Sequence, residues 1–187
     1  MTFTDNAAAR GAGIYNEDAT TTLGNATIAG NIAGDTGGAL FNNNTGTVTL
    51  TNSTLNNNTG YAGGGAIQSE GSTGLMNTIV ANSFQGFSCA GGTPNISLGH
   101  NLESGDTCHF QAGYGDLVNA DPLLLPLSNN GKKGYTQSFA LAKGSPAIDK
   151  GSNNGCVSKD QRARKRPIDG DGNGSAICDI GSFEFKP

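Results

Sequence analysis

The chain has 187 residues, the length of a single domain, and a net charge of −4. Its apolar fraction of 35% excludes a disordered chain, and its acidic balance argues against a nucleic-acid partner. Glycine contributes 30 residues, charged residues only 14%, and asparagine and threonine are plentiful. Because glycine, asparagine and threonine form helices poorly, the composition predicts short strands joined by tight turns.

Two short motifs alternate along the first 80 residues. The first set is "GAGIYNE" (11–17), "GGALFNN" (37–43) and "GGAIQSE" (64–70). The second set is "TLGNATI" (22–28), "TLTNSTL" (49–55) and "GLMNTIV" (74–80). Their period of about 26 residues predicts a parallel β-solenoid with about three coils over residues 1–85. Residues 86–187 are then a C-terminal cap packed on the coils, within one structural domain.

Equivalent residues of stacked coils form columns, so the alignment predicts the side chains that meet. Two apolar columns are expected to face inward: Leu23, Leu50, Leu75, and Ile28, Leu55, Val80. A third column, Asn25, Asn52 and Asn77, is expected to form an amide ladder in which each side chain bonds to the next coil.

The opening "MTFTDNAAAR" lacks the basic start and apolar run of a signal peptide, and no stretch approaches the ~18 apolar residues of a membrane span. We therefore expect a fragment or trimmed chain, with any export signal and surface anchor outside it, and no membrane insertion in the visible chain.

All four cysteines, Cys89, Cys108, Cys156 and Cys178, lie in the second half of the chain. They lack the CxxC or Cys/His spacing of a zinc site, so we expect disulfides and an oxidising compartment. Of the three possible connectivities, local pairing is the simplest.

The second half also resembles a known family. Four segments occur in order, "GHNLESGDTC" (99–108), "DLVNADPLLLPLSNNG" (116–131), "ALAKGSPAIDKG" (140–151) and "DQRARKRPIDGDGNGSAICDIGSFEF" (160–185). They are similar to the C-terminal part of bacterial choice-of-anchor Q proteins, often met alongside CSLREA-type repeats. The resemblance implies a right-handed parallel β-helix on a secreted or cell-surface bacterial protein, and it implies no defined activity.

The segment after "DQR" departs from that family pattern, where glycine usually follows. Five of the eleven basic residues lie between Lys159 and Arg166. A basic run this short is typical of a solvated loop, and an anion-binding patch is the alternative.

The loop "DGDGNGSAICD" contains alternating oxygen donors. Asp169, Asp171 and Asn173, followed by Gly174, match the first half of an EF-hand-type loop, and Ser175 offers its backbone carbonyl. Ile180 stands where a bidentate Glu is required, and Asp179 is the possible substitute. We expect a structural Ca²⁺ that closes the cap beside Cys178; an acidic turn held by Asx hydrogen bonds is the alternative.

Other residues suggest further site hypotheses. Glu17 and Glu70 share a column two coils apart, roughly 9–10 Å, the upper edge for an inverting glycosidase pair. A polysaccharide lyase is disfavoured because Arg10 is the one basic residue of the coils. Tyr15 and Phe41 share another column, which indicates either glycan stacking or packing under a loop. The outward threonines Thr20, Thr22, Thr47 and Thr49 resemble an ice-binding array that the third coil does not continue.

The sequence therefore favours a non-catalytic extracellular module for adhesion or weak polysaccharide binding. Its expected partners are a polysaccharide or another cell-surface protein. The alternatives are a carbohydrate-active enzyme (polysaccharide lyase or glycoside hydrolase) and an ice-binding protein.

Overall fold

The computed structural model describes residues 1–92, 96–131 and 136–187, apart from the side chain of Ile96. Short strands follow one another around successive coils. The first coil contains β1 (Thr2–Thr4), β2 (Ala7–Ala8), β3 (Ile14–Asn16) and β4 (Thr20–Gly24). The second contains β5 (Thr27–Ala29), β6 (Ile32–Ala33), β7 (Leu40–Asn42) and β8 (Thr47–Thr51). The third contains β9 (Thr54–Asn56), β10 (Thr59–Gly60), β11 (Gly64–Ser69) and β12 (Ser72–Met76).

A fourth coil follows, with β13 (Ile79–Ala81), β14 (Phe87–Ala90) and β15 (Ile96–Gly99), and β16 (Leu102–Glu103) begins another turn. The sequence showed three coils because β14 lacks the Gly-Gly-Ala motif and pairs with β11 through a register shift. Two short 3-10 helices, Ala112–Tyr114 and Asn153–Gly155, complete the described elements.

Equivalent strands stack into four sheets whose strand pairings are all parallel. Sheet A has the order β1-β5-β9-β13-β16, sheet B the order β2-β6-β10, sheet C the order β3-β7-β11-β14, and sheet D the order β4-β8-β12-β15. The predicted parallel β-helix is confirmed.

Apolar columns fill the interior of the coils as predicted. Leu23, Leu50 and Leu75 are register partners, as are Ile28, Leu55 and Val80. All six side chains belong to one buried cluster. No single coil has enough apolar residues to bury its own inner face, so stacking supplies the core.

The predicted ladder of Asn25, Asn52 and Asn77 is wrong. These residues occupy the corner between sheets D and A with φ of 51°, 47° and 48°, a left-handed conformation that Asn tolerates well. Their amides bond to the C-terminal region instead of to one another. The corner conformation decides where a side chain points, and the column alignment does not reveal it.

Amide ladders exist at other positions. Asn6 Nδ2 donates to Asn31 Oδ1 at 2.9 Å, and Asn31 Nδ2 donates to Asn58 Oδ1 at 3.0 Å. Asn16 Nδ2 donates to Asn42 Oδ1 at 2.9 Å. These side chains satisfy the polar corners of adjoining coils inside the solenoid, where an unpaired amide would be costly.

The C-terminal region has two parts with different places on the solenoid. Residues 104–118, here called the plug, close one end: Cys108 and Phe110 join the interior cluster, and Leu117 bridges to Leu102 of β16. The Cys89–Cys108 disulfide ties this plug to the fourth coil, with a Cα–Cα distance of 4.8 Å.

Residues 119–187, here called the flank, lie along the outer face of sheet A. Ile148, Ile180 and Phe183 form a second buried cluster with Ile79 and Leu102 of that sheet. The Cys156–Cys178 disulfide lies within the flank. Local cysteine pairing is therefore confirmed, and the expected cap covers a side of the solenoid as well as an end.

The solvated-loop interpretation of the basic run is wrong for two of its arginines. Arg162 and Arg166 are buried, with exposed fractions of 8% and 3%. Arg162 pairs with Asp160 and lies 3.4 Å from the ring centre of Phe183. Arg166 Nε forms an ion pair with Glu184 Oε2 at 3.3 Å without hydrogen-bond geometry, and Arg166 Nη2 donates to the Gly181 carbonyl at 2.7 Å.

Among the described residues, no helix has the length and apolar character that crossing a bilayer requires.

Candidate functional site

The acidic loop is organised by a buried carboxylate from outside it. Asp149 is 2% exposed, and its Oδ2 accepts hydrogen bonds from the backbone N–H groups of Gly170 and Asp171 at 2.8 and 2.7 Å. Its Oδ1 accepts from Ile177 N at 3.3 Å. Both ends of the loop are therefore tied to one side chain.

Three carboxylates converge at this loop. Ligand oxygens of Asp149, Asp169 and Asp171 all lie within 4.8 Å of one another. Hard cations such as Ca²⁺ prefer such oxygen donors, so this trio is the structure's candidate metal centre. The sequence analysis did not assign Asp149 to the metal site, because it precedes the first residue of the loop, Asp169, by twenty positions.

Inside the loop, Asp169 Oδ1 accepts from Gly172 N and Asp169 Oδ2 from Gly174 N, at 2.8 and 2.9 Å. Asn173 Oδ1 accepts from Ser175 N at 2.8 Å. These hydrogen bonds are of the Asx type, as the alternative hypothesis of an acidic turn expects. They are compatible with a cation held by the remaining lone pairs of the same oxygens.

Asp179 has its own backbone donors. Its two oxygens accept from the N–H groups of Asp149 and Phe185. Burial, followed by the nearby Glu184 carboxylate, raises the pKa of Asp179 to about 7. Asp179 thus supports Asp149 through the backbone, and the trio above does not include it.

A second candidate site begins with a stacked aromatic pair. Tyr15 of β3 and Phe41 of β7 are register partners whose rings stack with centres 5.1 Å apart and planes at 7°. The guanidinium of Arg10 lies 5.7 Å from the Phe41 ring centre. Phe41 is buried, whereas Tyr15 is 47% exposed. The column therefore combines packing at Phe41 with an accessible ring at Tyr15.

Three further exposed rings belong to the strands of sheets B and C or to the turns beside them. Arg10 Nε donates to Asp35 Oδ2 at 2.8 Å, and the Asp35 carbonyl accepts from Ala62 N, which places Tyr61 next to that pair. Phe84 bridges Thr59 of β10, and Phe87 is the partner of Gly64. We name Tyr15, Phe41, Tyr61, Phe84 and Phe87 the aromatic surface.

The aromatic surface is open to solvent and interrupted by polar groups. Tyr61, Phe84 and Phe87 are 60%, 56% and 62% exposed. Gln68, the register partner of Phe41, donates from Nε2 to Glu70 Oε1 at 2.6 Å. The sequence analysis did not place Tyr61, Phe84 and Phe87 in a site, because Tyr61 lies between two aligned motifs, Phe84 and Phe87 follow the last one, and none of the three belongs to a column.

The two glutamates of the enzyme alternative do share a column, since the register pairs their neighbours Tyr15, Phe41 and Gln68. Glu17 is exposed. Glu70 is half-buried, and its carboxylate accepts from Gln68 Nε2 and from Gly92 N. Glu70 is thereby engaged in holding the fourth-coil segment near Gly92.

The threonine array spans two coils. Thr20 pairs with Thr47 and Thr22 with Thr49, all on sheet D. In the third coil Gly74 follows Thr49, and a Cβ at Gly74 would meet Leu98 Cδ1 at 3.0 Å. Leu98 of the fourth coil therefore covers the place where the array would continue.

No family model, curated protein or solved structure matches this chain.

Proposed function

We propose that this chain is a non-catalytic β-helix module that binds polysaccharide through the aromatic surface. The observation behind the proposal is the set of exposed rings in the first, third and fourth coils, Tyr15, Tyr61, Phe84 and Phe87, with Tyr61 next to the Arg10–Asp35 pair. Exposed apolar patches rimmed by polar groups are typical of interaction sites.

The chemistry of the surface suits a sugar polymer. A pyranose ring has an apolar C–H face that stacks on an aromatic ring, and hydroxyl groups that pair with charged or amide side chains. The Arg10–Asp35 and Gln68–Glu70 pairs lie beside Phe41 and offer such partners. The exposed rings are spread over stacked coils that lie about 4.8 Å apart, which favours an extended ligand over a compact one.

The fold and the C-terminal segments support membership of the choice-of-anchor Q group as part of this proposal. The two disulfides favour an oxidising compartment, which agrees with secretion or display on a bacterial surface. Another cell-surface protein is the second partner class.

The competing function is a carbohydrate-active enzyme that uses Glu17 and Glu70. Their shared column favours it, whereas the hydrogen bonds of Glu70 indicate a structural role. Ice binding is weaker still, because Leu98 ends the threonine array after two coils.

A polysaccharide panel tests the proposal. Each insoluble polymer is incubated with the protein and calcium, then assayed for retained protein and for soluble oligosaccharides. We expect retention on at least one polymer without products, from the wild type and from Glu17→Gln and Glu70→Gln alike. Products that disappear in the Glu17→Gln protein would establish the enzyme instead. Absence of both retention and products would refute polysaccharide binding.

We further propose that Asp149, Asp169 and Asp171 hold a structural Ca²⁺, to which Asn173 and the Ser175 carbonyl are the candidate additional ligands. Its role would be to fix the loop against the flank, and the binding of polysaccharide does not depend on it directly.

A further inference from the structure

A cavity of about 570 Å³ lies in the flank, away from the aromatic surface. Its volume is in the ~300–1,000 Å³ range of small-ligand pockets. Pro146, Ile148 and Phe185 form apolar walls, and Lys143, Lys150 and Asp171 stand among its polar lining residues. Such an apolar body with few polar groups is typical of a site that orients one small molecule.

The walls of the cavity are held in place before any ligand arrives. Ser145 Oγ donates to the Pro122 carbonyl at 2.6 Å, which anchors one wall. The Asp149 carboxylate anchors the opposite wall through Gly170 and Asp171. Both bonds involve buried side chains, so the space between the walls is a preformed feature of the flank and not a gap between loose loops.

Two wall glycines keep the space clear. Gly144 and Gly172 have φ of 86° and 77°, and a Cβ built on either one would meet no atom within 4 Å. The space beside them is therefore unfilled by the protein's own side chains.

The charge of the lining favours an anionic ligand. Lys143 and Lys150 both line the cavity and are both exposed. The first 131 residues contain one basic side chain and the last 56 contain ten, so the cavity lies in the basic part of an acidic protein. When no calcium is bound, the Asp171 carboxylate in the lining disfavours a ligand with several negative charges and favours one with a single negative group.

We propose that this cavity binds a small amphiphilic monoanion, with its apolar body between Pro146, Ile148 and Phe185 and its anionic group beside Lys143 and Lys150. The proposal is independent of polysaccharide binding, because the cavity and the aromatic surface share no residue.

Two probes test the site: 8-anilinonaphthalene-1-sulfonate, whose fluorescence rises in apolar surroundings, and decanoate as its competitor. Both are used without divalent cations, after the melting curve shows a folded protein. We expect saturable one-to-one binding that decanoate displaces. The double variant Lys143→Glu/Lys150→Glu should bind about tenfold more weakly, because two rim attractions become repulsions.

The matched control is Lys159→Glu combined with Lys165→Glu, because it makes the same change in net charge at two exposed lysines outside the cavity lining. It should bind as the wild type does. Equal affinity of the double variant and this control would overturn the proposal, as would no saturable binding. Binding lost on Tyr61→Ala but kept in the double variant would place the probe on the aromatic surface and likewise overturn it.

Discussion

The side-chain amide of Asn77 forms two hydrogen bonds with the backbone of Ser152: its Oδ1 accepts from Ser152 N at 2.7 Å, and its Nδ2 donates to the Ser152 carbonyl at 3.0 Å. Each coil repeats this type of contact. His100 Nδ1 donates to the Lys150 carbonyl at 2.8 Å, and Asn25 Nδ2 donates to the Lys159 carbonyl at 2.7 Å. Asn52, with its amide oriented to satisfy both of its atoms, donates to the Gly155 carbonyl at 3.2 Å.

This column of four corner residues fastens residues 150–159 along the solenoid, from the fourth coil back to the first. All four residues have left-handed φ, which directs their side chains out of the coil. The flank is therefore attached to every coil by side-chain bonds to its backbone, in addition to its apolar contact with sheet A.

Replacing Asn77 by glycine removes the amide and keeps the left-handed backbone unstrained. We expect Asn77→Gly to lower the free energy of unfolding by about 1–2 kcal/mol, because two partly buried backbone groups of Ser152 lose their partners. Asn77→Ala should lower it by about 1 kcal/mol more, since alanine is strained at this φ. Urea denaturation measures both.

The control is Asn57→Gly, at another left-handed position where the side chain is exposed. It should cost well under 1 kcal/mol. Equal losses at Asn57 and Asn77 would show that the Ser152 bonds contribute nothing.

Arg166 is a buried residue of the basic run and Arg164 an exposed one, so variants of the two compare the contributions of both kinds of position. Arg166→Ala leaves the buried Glu184 carboxylate without its cation, so we expect a loss of about 3–5 kcal/mol. Arg164→Ala removes an exposed side chain and should change stability by less than about 0.5 kcal/mol. Paired urea denaturation curves measure the difference, and similar values for the two variants would contradict the buried network.

Asp179 makes stability depend on pH. Its pKa of about 7 in the folded protein lies above its ordinary value of 3.8, so the native state keeps a proton that the unfolded chain has already lost. This contribution to stability is complete below about pH 4, falls as the pH rises towards 7, and is absent above that. Glu184, whose pKa burial also raises, adds to the fall in the same direction.

Urea midpoints between pH 4 and 8 measure this effect. We expect the wild type to lose up to about 4 kcal/mol more than Asp179→Asn does over the range. Parallel pH profiles of the two proteins would contradict a protonated Asp179 in the fold.

Calcium is expected to stabilise the acidic loop. EDTA should lower the melting temperature and added calcium should restore it, with a gain of about 3 kcal/mol when calcium is about a hundredfold above its Kd. Asp169→Asn and Asp171→Asn should lose this response, whereas Asp106→Asn, an exposed carboxylate outside the trio, should keep it. A melting temperature that does not change on addition of EDTA would contradict a bound calcium and support the Asx turn alone.

Much of the coil architecture was predictable, because stacking forces residues such as Leu23, Leu50 and Leu75 to repeat. The fourth coil was not, since Phe87–Ala90 joins the sheet through a register shift that breaks the repeat. A repeat in the sequence predicts coils only where the backbone keeps the same period, and it gives no signal where the register shifts.

The sites were harder to predict because they join distant segments. The loop around Asp169 was evident, but the link to Asp149 depends on how the flank folds back. From the sequence, Arg166 is expected to be one more exposed cation. In the structure it pairs in the interior with Glu184, eighteen residues later in the chain. Pairings of this kind leave no local pattern.

The central claim is that the aromatic surface binds polysaccharide. The most direct test measures how tightly Tyr61→Ala binds the polymer that retains the wild type, with Tyr114→Ala as the control. The two tyrosines are equally exposed, at 60% and 58%, but Tyr114 belongs to the plug. A depletion isotherm should show roughly fivefold weaker binding for Tyr61→Ala, the value of about 1 kcal/mol for one aromatic contact, and unchanged binding for Tyr114→Ala. Equal isotherms for the two variants would contradict the account, because the polymer would then be held elsewhere.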